Sequence, residues 1–171
     1  QTPSARSVNK LKGIYYSDET NNMAARQYAS ELYSYYLEDD SKQLLLEVKH
    51  ELEHLHSTFP NDEEITEYLA SCIALWASGK KKSTIEKAKK ELLTMRGNFP
   101  NSENIAEYYS DILVILTLEE LSEKKCDDYL QELCELKNSF SHNATIIDNL
   151  ATIRKRIDYL NNYRESISKS E

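Results

Sequence analysis

A ten-residue segment of this chain occurs twice, 40 residues apart. Phe59-Pro60-Asn61-Asp62-Glu63-Glu64-Ile65-Thr66-Glu67-Tyr68 is followed by Phe99-Pro100-Asn101-Ser102-Glu103-Asn104-Ile105-Ala106-Glu107-Tyr108, with seven identities. A weaker copy follows at a spacing of 41, in Phe140, Asn143 and Ile146, and Tyr28-Ala29-Ser30-Glu31-Leu32 resembles Tyr108-Tyr109-Ser110-Asp111-Ile112. Repetition at this period marks a stack of similar supersecondary units, none of which buries its apolar face alone.

The apolar spacing says what each unit is. Val48, Leu52, Leu55 and Phe59 recur at intervals of three and four, as do Ala88, Leu92, Met95 and Phe99, and Leu133 and Leu136 continue the series. After each Pro, Ile65, Leu69, Cys72 and Trp76, and then Ile105, Tyr109, Ile112 and Leu116, show the same period. These are single faces of amphipathic helices. Pro60 and Pro100 cannot continue the helices before them. Asn61, Ser102 and Asn143 are read as N-caps, with Glu63, Glu64 and Glu103 in the first turn. Ser78-Gly79 closes one helix and Ser83 opens the next. The pattern predicts seven helices, over 20–37, 42–58, 62–78, 83–98, 102–119, 122–139 and 143–163. Residues 1–18 read as an irregular lead-in, 19–163 as the helical repeat domain, and 164–171 as a frayed polar tail.

Composition narrows the class further. Only three Gly and three Pro occur in 171 residues, too few for the turns of a β-rich fold. The net charge of −8 argues against phosphate-backbone binding, so no nucleic-acid partner is expected. Lys80, Lys81, Lys82, Lys87, Lys89 and Lys90 form a local basic cluster that reads as a solvated loop and helix face. The longest apolar run, Ile112–Leu116, is far short of a membrane span, and no signal peptide is visible. Cys72, Cys126 and Cys134 are odd in number and lie within apolar helical patterns, as reduced cysteines of a cytoplasmic protein do. Asn143-Ala144-Thr145 fits the N-glycosylation triplet, which has meaning only in a secreted chain.

The spacing resembles the tetratricopeptide repeat. The second helix of that family carries a small or apolar residue, a large one four later, another three beyond, and a Pro five further on. Here these are Val48, Leu52, Leu55 and Pro60, then Ala88, Leu92, Met95 and Pro100, then Tyr129, Leu133 and Leu136 with Ser141 in place of Pro. The small residue of the first helix falls on Ser30, Ala70, Ser110 and Ala151. The resemblance covers roughly residues 20–160. The departures are a period of 40–41 rather than 34 residues and the absence of the family's early Trp and Gly. The resemblance implies an all-α αα-superhelix of about three helix–turn–helix repeats plus a C-terminal capping helix.

It also implies a function. In that family the first helices line a concave groove that holds a peptide or a partner helix. Carried onto this chain, Gln27, Glu67, Glu107 and Asp148 form one ladder, Tyr28, Tyr68 and Tyr108 a second, and Glu31, Ser71 and Asp111 stand beside them. Aromatic rings supply contact area and the carboxylates favour a basic partner. The plainer reading makes the tyrosines half-buried packing residues and the acids a solvated face. The expectation is a protein-interaction module without enzymatic activity, cofactor, nucleic-acid partner or membrane partner. A scaffold or self-association domain of a larger chain, and hence a homo-oligomer, is the alternative.

A third reading rests on one motif. His50-Glu51-Leu52-Glu53-His54 is a literal HExxH, the arrangement by which a helix offers zinc two imidazoles and a general base. Its context is poor. Leu52 belongs to the apolar stripe, Glu53 is charged where such peptidases are usually neutral, and no third ligand is evident. His50, Glu51 and His54 are therefore weak metal candidates, and no metal is expected.

Overall fold

The computed structural model describes residues 2–170. Among them it contains eight α-helices and no strand: α1 (Pro3–Ser17), α2 (Asn22–Asp39), α3 (Lys42–Thr58), α4 (Glu63–Ala77), α5 (Lys82–Asn98), α6 (Glu103–Glu119), α7 (Glu123–Ser139) and α8 (Ala144–Ser170). No helix among the described residues is long and apolar enough to cross a membrane. The chain divides into two compact units, Gln1–Trp76 and Ala77–Glu171.

In the first unit α2 packs against α1 and α3, and it meets α4 through side chains described below. In the second, α6 packs against α5, α7 and α8, and α7 packs against α8. The stripes foreseen from spacing form the cores. Val48, Leu52 and Leu55 are buried on α3, Ala88, Leu92 and Met95 on α5, and Leu133 and Leu136 on α7. Among the largest fully buried side chains are Tyr15, Tyr28 and Tyr109. Both ends of the chain differ from expectation. Residues 3–17 are helical rather than irregular, with the Thr2 hydroxyl accepting from the Ala5 amide and a proline in the first turn. Residues 164–170 are exposed and, apart from Ile167, polar, and they are helical rather than frayed.

Capping residues set the period. Asn21, Asp62, Ser102 and Asn143 accept from the amides of Ala24, Ile65, Ile105 and Ile146, and so open α2, α4, α6 and α8. Asp62 does the work expected of Asn61, and Lys81 rather than Ser83 precedes the first turn of α5. Gly79, at φ 78°, supplies the left-handed turn between α4 and α5. The four side-chain caps stand 41, 40 and 41 residues apart. The 40-residue identity of the two Phe-Pro segments therefore falls one residue short when it is carried back to α2. Counted from the caps, Ala29 rather than Ser30 is the counterpart of Ala70 and Ser110, and all three are fully buried.

Candidate functional site

The one-residue shift changes the expected groove. Counted from its cap, Tyr28 corresponds to Leu69 and Tyr109, which are core positions, and not to Tyr68 and Tyr108. Tyr28 is 1% exposed, so it cannot offer its ring to a ligand. Its hydroxyl donates to Glu51 Oε1 at 2.9 Å, and Tyr109 bonds to Glu132 in the same way. Burial first, and the neighbouring carboxylate second, push both phenols well above the usual tyrosine range. Each first-helix tyrosine is thus a neutral donor that ties α2 to α3, or α6 to α7. Gln27, which is exposed, is the residue that corresponds to Tyr68 and Tyr108 when each helix is counted from its cap.

The remaining groove candidates fall into two sets, one in each unit. In the first unit Tyr68 is half-buried and stacks on Tyr33, with ring centroids 5.1 Å apart, and its hydroxyl donates to Glu64. Tyr33 and Ser71 share a hydroxyl hydrogen bond of 2.6 Å. Glu67 is half-buried on the same helix. Gln27 and Glu31 line a cleft of about 610 Å³ together with Leu11, Met23, Arg26 and Glu64, so α1, α2 and α4 each contribute a wall. The Arg26 guanidinium is held by Asp62 at 2.9 Å and lies 3.7 Å from Glu64. With that cation neutralised, the cleft combines apolar Leu11 and Met23 with the carboxylates of Glu31 and Glu64.

In the second unit the acids are partly occupied. Asn143 Nδ2 donates to Glu103 and Glu107, and Asn149 Nδ2 donates to Ser110 and Asp111, so α8 grips α6 through two amides. Burial raises the Asp111 carboxyl above its ordinary range, and nearby Glu107 adds to the effect against the Asn149 bond. Tyr108 is half-buried and Asp148 exposed. The amides of Asn143 and Asn149, unforeseen from the sequence, thus join helices through residues that had been read as ligand-facing.

The HExxH residues also serve packing. Glu51 Oε1 accepts from the hydroxyls of both Tyr16 and Tyr28. The His54 ring lies parallel to that of Tyr16, with centroids 6.2 Å apart, and its Nε2 is 3.8 Å from Glu19. His50 is exposed on the outer face of α3. Among the described residues no group of three or more His, Cys, Asp or Glu side chains is placed to hold a metal ion.

Part of the basic cluster is tied down as well. Lys82 donates to Glu120 at 2.8 Å, and Glu120 also accepts from the Leu121 and Ser122 amides. Lys89 pairs with Glu132 at 3.2 Å and lies over the rings of Tyr109 and Tyr129. The glycosylation triplet is closed off, since Asn143 is buried and its side chain is engaged with α6 and with the Ile146 amide.

Two signals in the sequence pointed to what was missed. Thr2-Pro3 is a helix start, and Val8 and Tyr15 keep the spacing of Val48 and Leu55, which makes α1 and its contribution to the cleft foreseeable. Comparison of the chain with protein-family models, with curated proteins and with solved structures finds no match.

Proposed function

We propose that this chain is a protein-interaction module of tetratricopeptide-like architecture, an αα-solenoid that acts by binding and not by catalysis. The observation that carries the reading is the cleft of the first unit, where Leu11 and Met23 lie beside Glu31 and Glu64. Apolar Leu11 and Met23 beside the carboxylates of Glu31 and Glu64 suit an amphipathic segment with Lys or Arg on its flanks. The repeat architecture is supported by capping residues at 41, 40 and 41 and by the first-helix pairs α2–α4 and α6–α8, each joined across about 40 residues of sequence. The compartment in this reading is the cytoplasm, in keeping with three free cysteines, two of them buried.

Selection of a random peptide library on the purified chain tests the reading. Enrichment of amphipathic basic peptides is expected, with binding weakened about tenfold or more by Met23→Ser combined with Glu31→Lys. Met23 is exposed and Glu31 half-buried, so the variant keeps its helical circular dichroism. Selection of nothing, or of peptides indifferent to both substitutions, would overturn it.

A further inference from the structure

The last helix is built unlike the others. Helices α1 to α7 have 15 to 18 residues, whereas α8 has 27. Its first part is ordinary, with Ile146, Leu150, Ile153 and Leu160 buried in the second unit. Arg164 then donates to Glu123 at 2.7 Å, and Glu123 is the first residue of α7. Six residues of α8 continue past this bond, a further ~9 Å at 1.5 Å per residue.

The second half of α8, from Arg154 onward, is amphipathic and carries an excess of cations. Tyr159, Tyr163 and Ile167 lie four residues apart on one face and are 58%, 56% and 43% exposed. The two tyrosine rings stack at 6.4 Å, and the Arg156 guanidinium lies 5.4 Å over Tyr159. From Arg154 to Ser170 there are five cations (Arg154, Lys155, Arg156, Arg164, Lys169) against two anions (Asp158, Glu165), and with Arg164 held by Glu123 a balance of +2 is left, in a chain whose total is −8. A solvent-facing stripe of two tyrosines and an isoleucine costs solubility unless something covers it.

The geometry points to the first-unit cleft of a second copy of this chain as what covers it. The inference rests on the reading of that cleft as a peptide groove, and names its occupant. The match is one of chemistry. The helix end offers an apolar stripe with cationic flanks, and the cleft offers Met23, 66% exposed, and Leu11 between Glu31 and Glu64. Pairing of this cationic segment with Glu31 and Glu64 lowers the charge of both surfaces. Two different patches meet in such a contact, so it is head-to-tail, and a pair joined by it keeps one free cleft, on one copy, and one free helix end, on the other.

This topology is tested by light scattering of the full chain and two variants. The tail variant is Tyr159→Ser with Tyr163→Ser, and the cleft variant is Met23→Ser with Glu31→Lys. The parent should self-associate with rising concentration, with an affinity about tenfold weaker on moving from low to high salt. Each variant alone should stay monomeric, and an equimolar mixture of the two should give a dimer, since one supplies the intact cleft and the other the intact helix end. Circular dichroism confirms that each is folded, and Tyr163→Lys or Glu31→Gln serves in place of a variant that is not. A monomeric parent overturns the inference, as does a cleft variant that still associates, which would mean pairing of helix ends, or a mixture that stays monomeric. If basic peptides bind the cleft while the parent is monomeric, only the identity of the occupant fails. If no peptide binds either, the groove reading fails with it.

Discussion

Asp62 carries two loads. It caps α4 through the Ile65 amide, and it accepts from Asn22 and Arg26 of α2. Burial alone would raise its carboxyl, but the Ile65 amide, Arg26 and Asn22 outweigh burial and hold it below the usual range. A depressed folded value means stability that is complete above about pH 5 and lost as pH falls through that value. Asp62→Ala should cost about 2–3 kcal/mol at neutral pH, from the lost cap and the stranded Arg26. Asp62→Asn should remove part of the acid sensitivity, so that its unfolding midpoint changes less than the parent's between pH 5 and pH 3. Urea titrations followed by circular dichroism read both. The sequence reading puts the cap at Asn61, one residue early. Asp62 takes it, and from there its carboxylate also answers Arg26, a neighbour 36 residues away.

Among the elements, the apolar stripes of α3, α5 and α7 were legible because their residues recur at helical spacing and are buried, save half-buried Phe59, Phe99 and Tyr129. The register of α2 was not. The identity that sets the 40-residue offset lies between Phe59 and Tyr108, and the intervals on either side are one residue longer. One residue turns a helix by about 100°, which carried Tyr28 from core to groove on paper. Helix α1 was missed because Lys12, Gly13 and Ile14 interrupt its stripe with exposed positions, leaving Val8 and Tyr15 as its buried residues. That interruption makes a prediction. A Cβ at Gly13 would meet nothing within 4 Å, so Gly13→Ala should stabilise the chain by about 0.5–1 kcal/mol. Gly79→Ala has equal room but sits at φ 78°, and should cost about 1 kcal/mol. Thermal unfolding of the two variants should therefore move in opposite directions.

For the molecule as a whole, the class of fold was visible in the sequence and the working surface was visible only in part. Gln27 and Glu31 do line a cleft, but Leu11, Met23 and Glu64 were not anticipated, because the cleft is assembled from three helices, and α1 reads from the sequence as an irregular lead-in while α2 and α4 were read through other residues. The HExxH motif shows the reverse error that a linear pattern invites, since Glu51 is held by two tyrosines that lie 35 and 23 residues before it. Glu51→Ala should cost about 2 kcal/mol by stranding those hydroxyls, while His50→Ala and His54→Ala together should cost less than about 1 kcal/mol. A chelator should leave the melting temperature unchanged. A melting temperature that fell on chelation and recovered with zinc would instead make the motif a metal site.

The double duty of the caps has a kinetic consequence. Asp62 starts α4 and clasps α2, and Asn143 starts α8 and clasps α6. Winding the first turn and docking it on the preceding helix are therefore one event at these two places. A turn that forms undocked leaves a carboxylate without its cation or an amide without its acceptors, and a docked segment that has not wound leaves the same side chain pointing away from its partner. The expectation is that in each unit the first turn and its docking are lost together, so that the Ile65 and Ile146 amides exchange hydrogen in step with the contacts of Asp62 and Asn143 to the preceding helix.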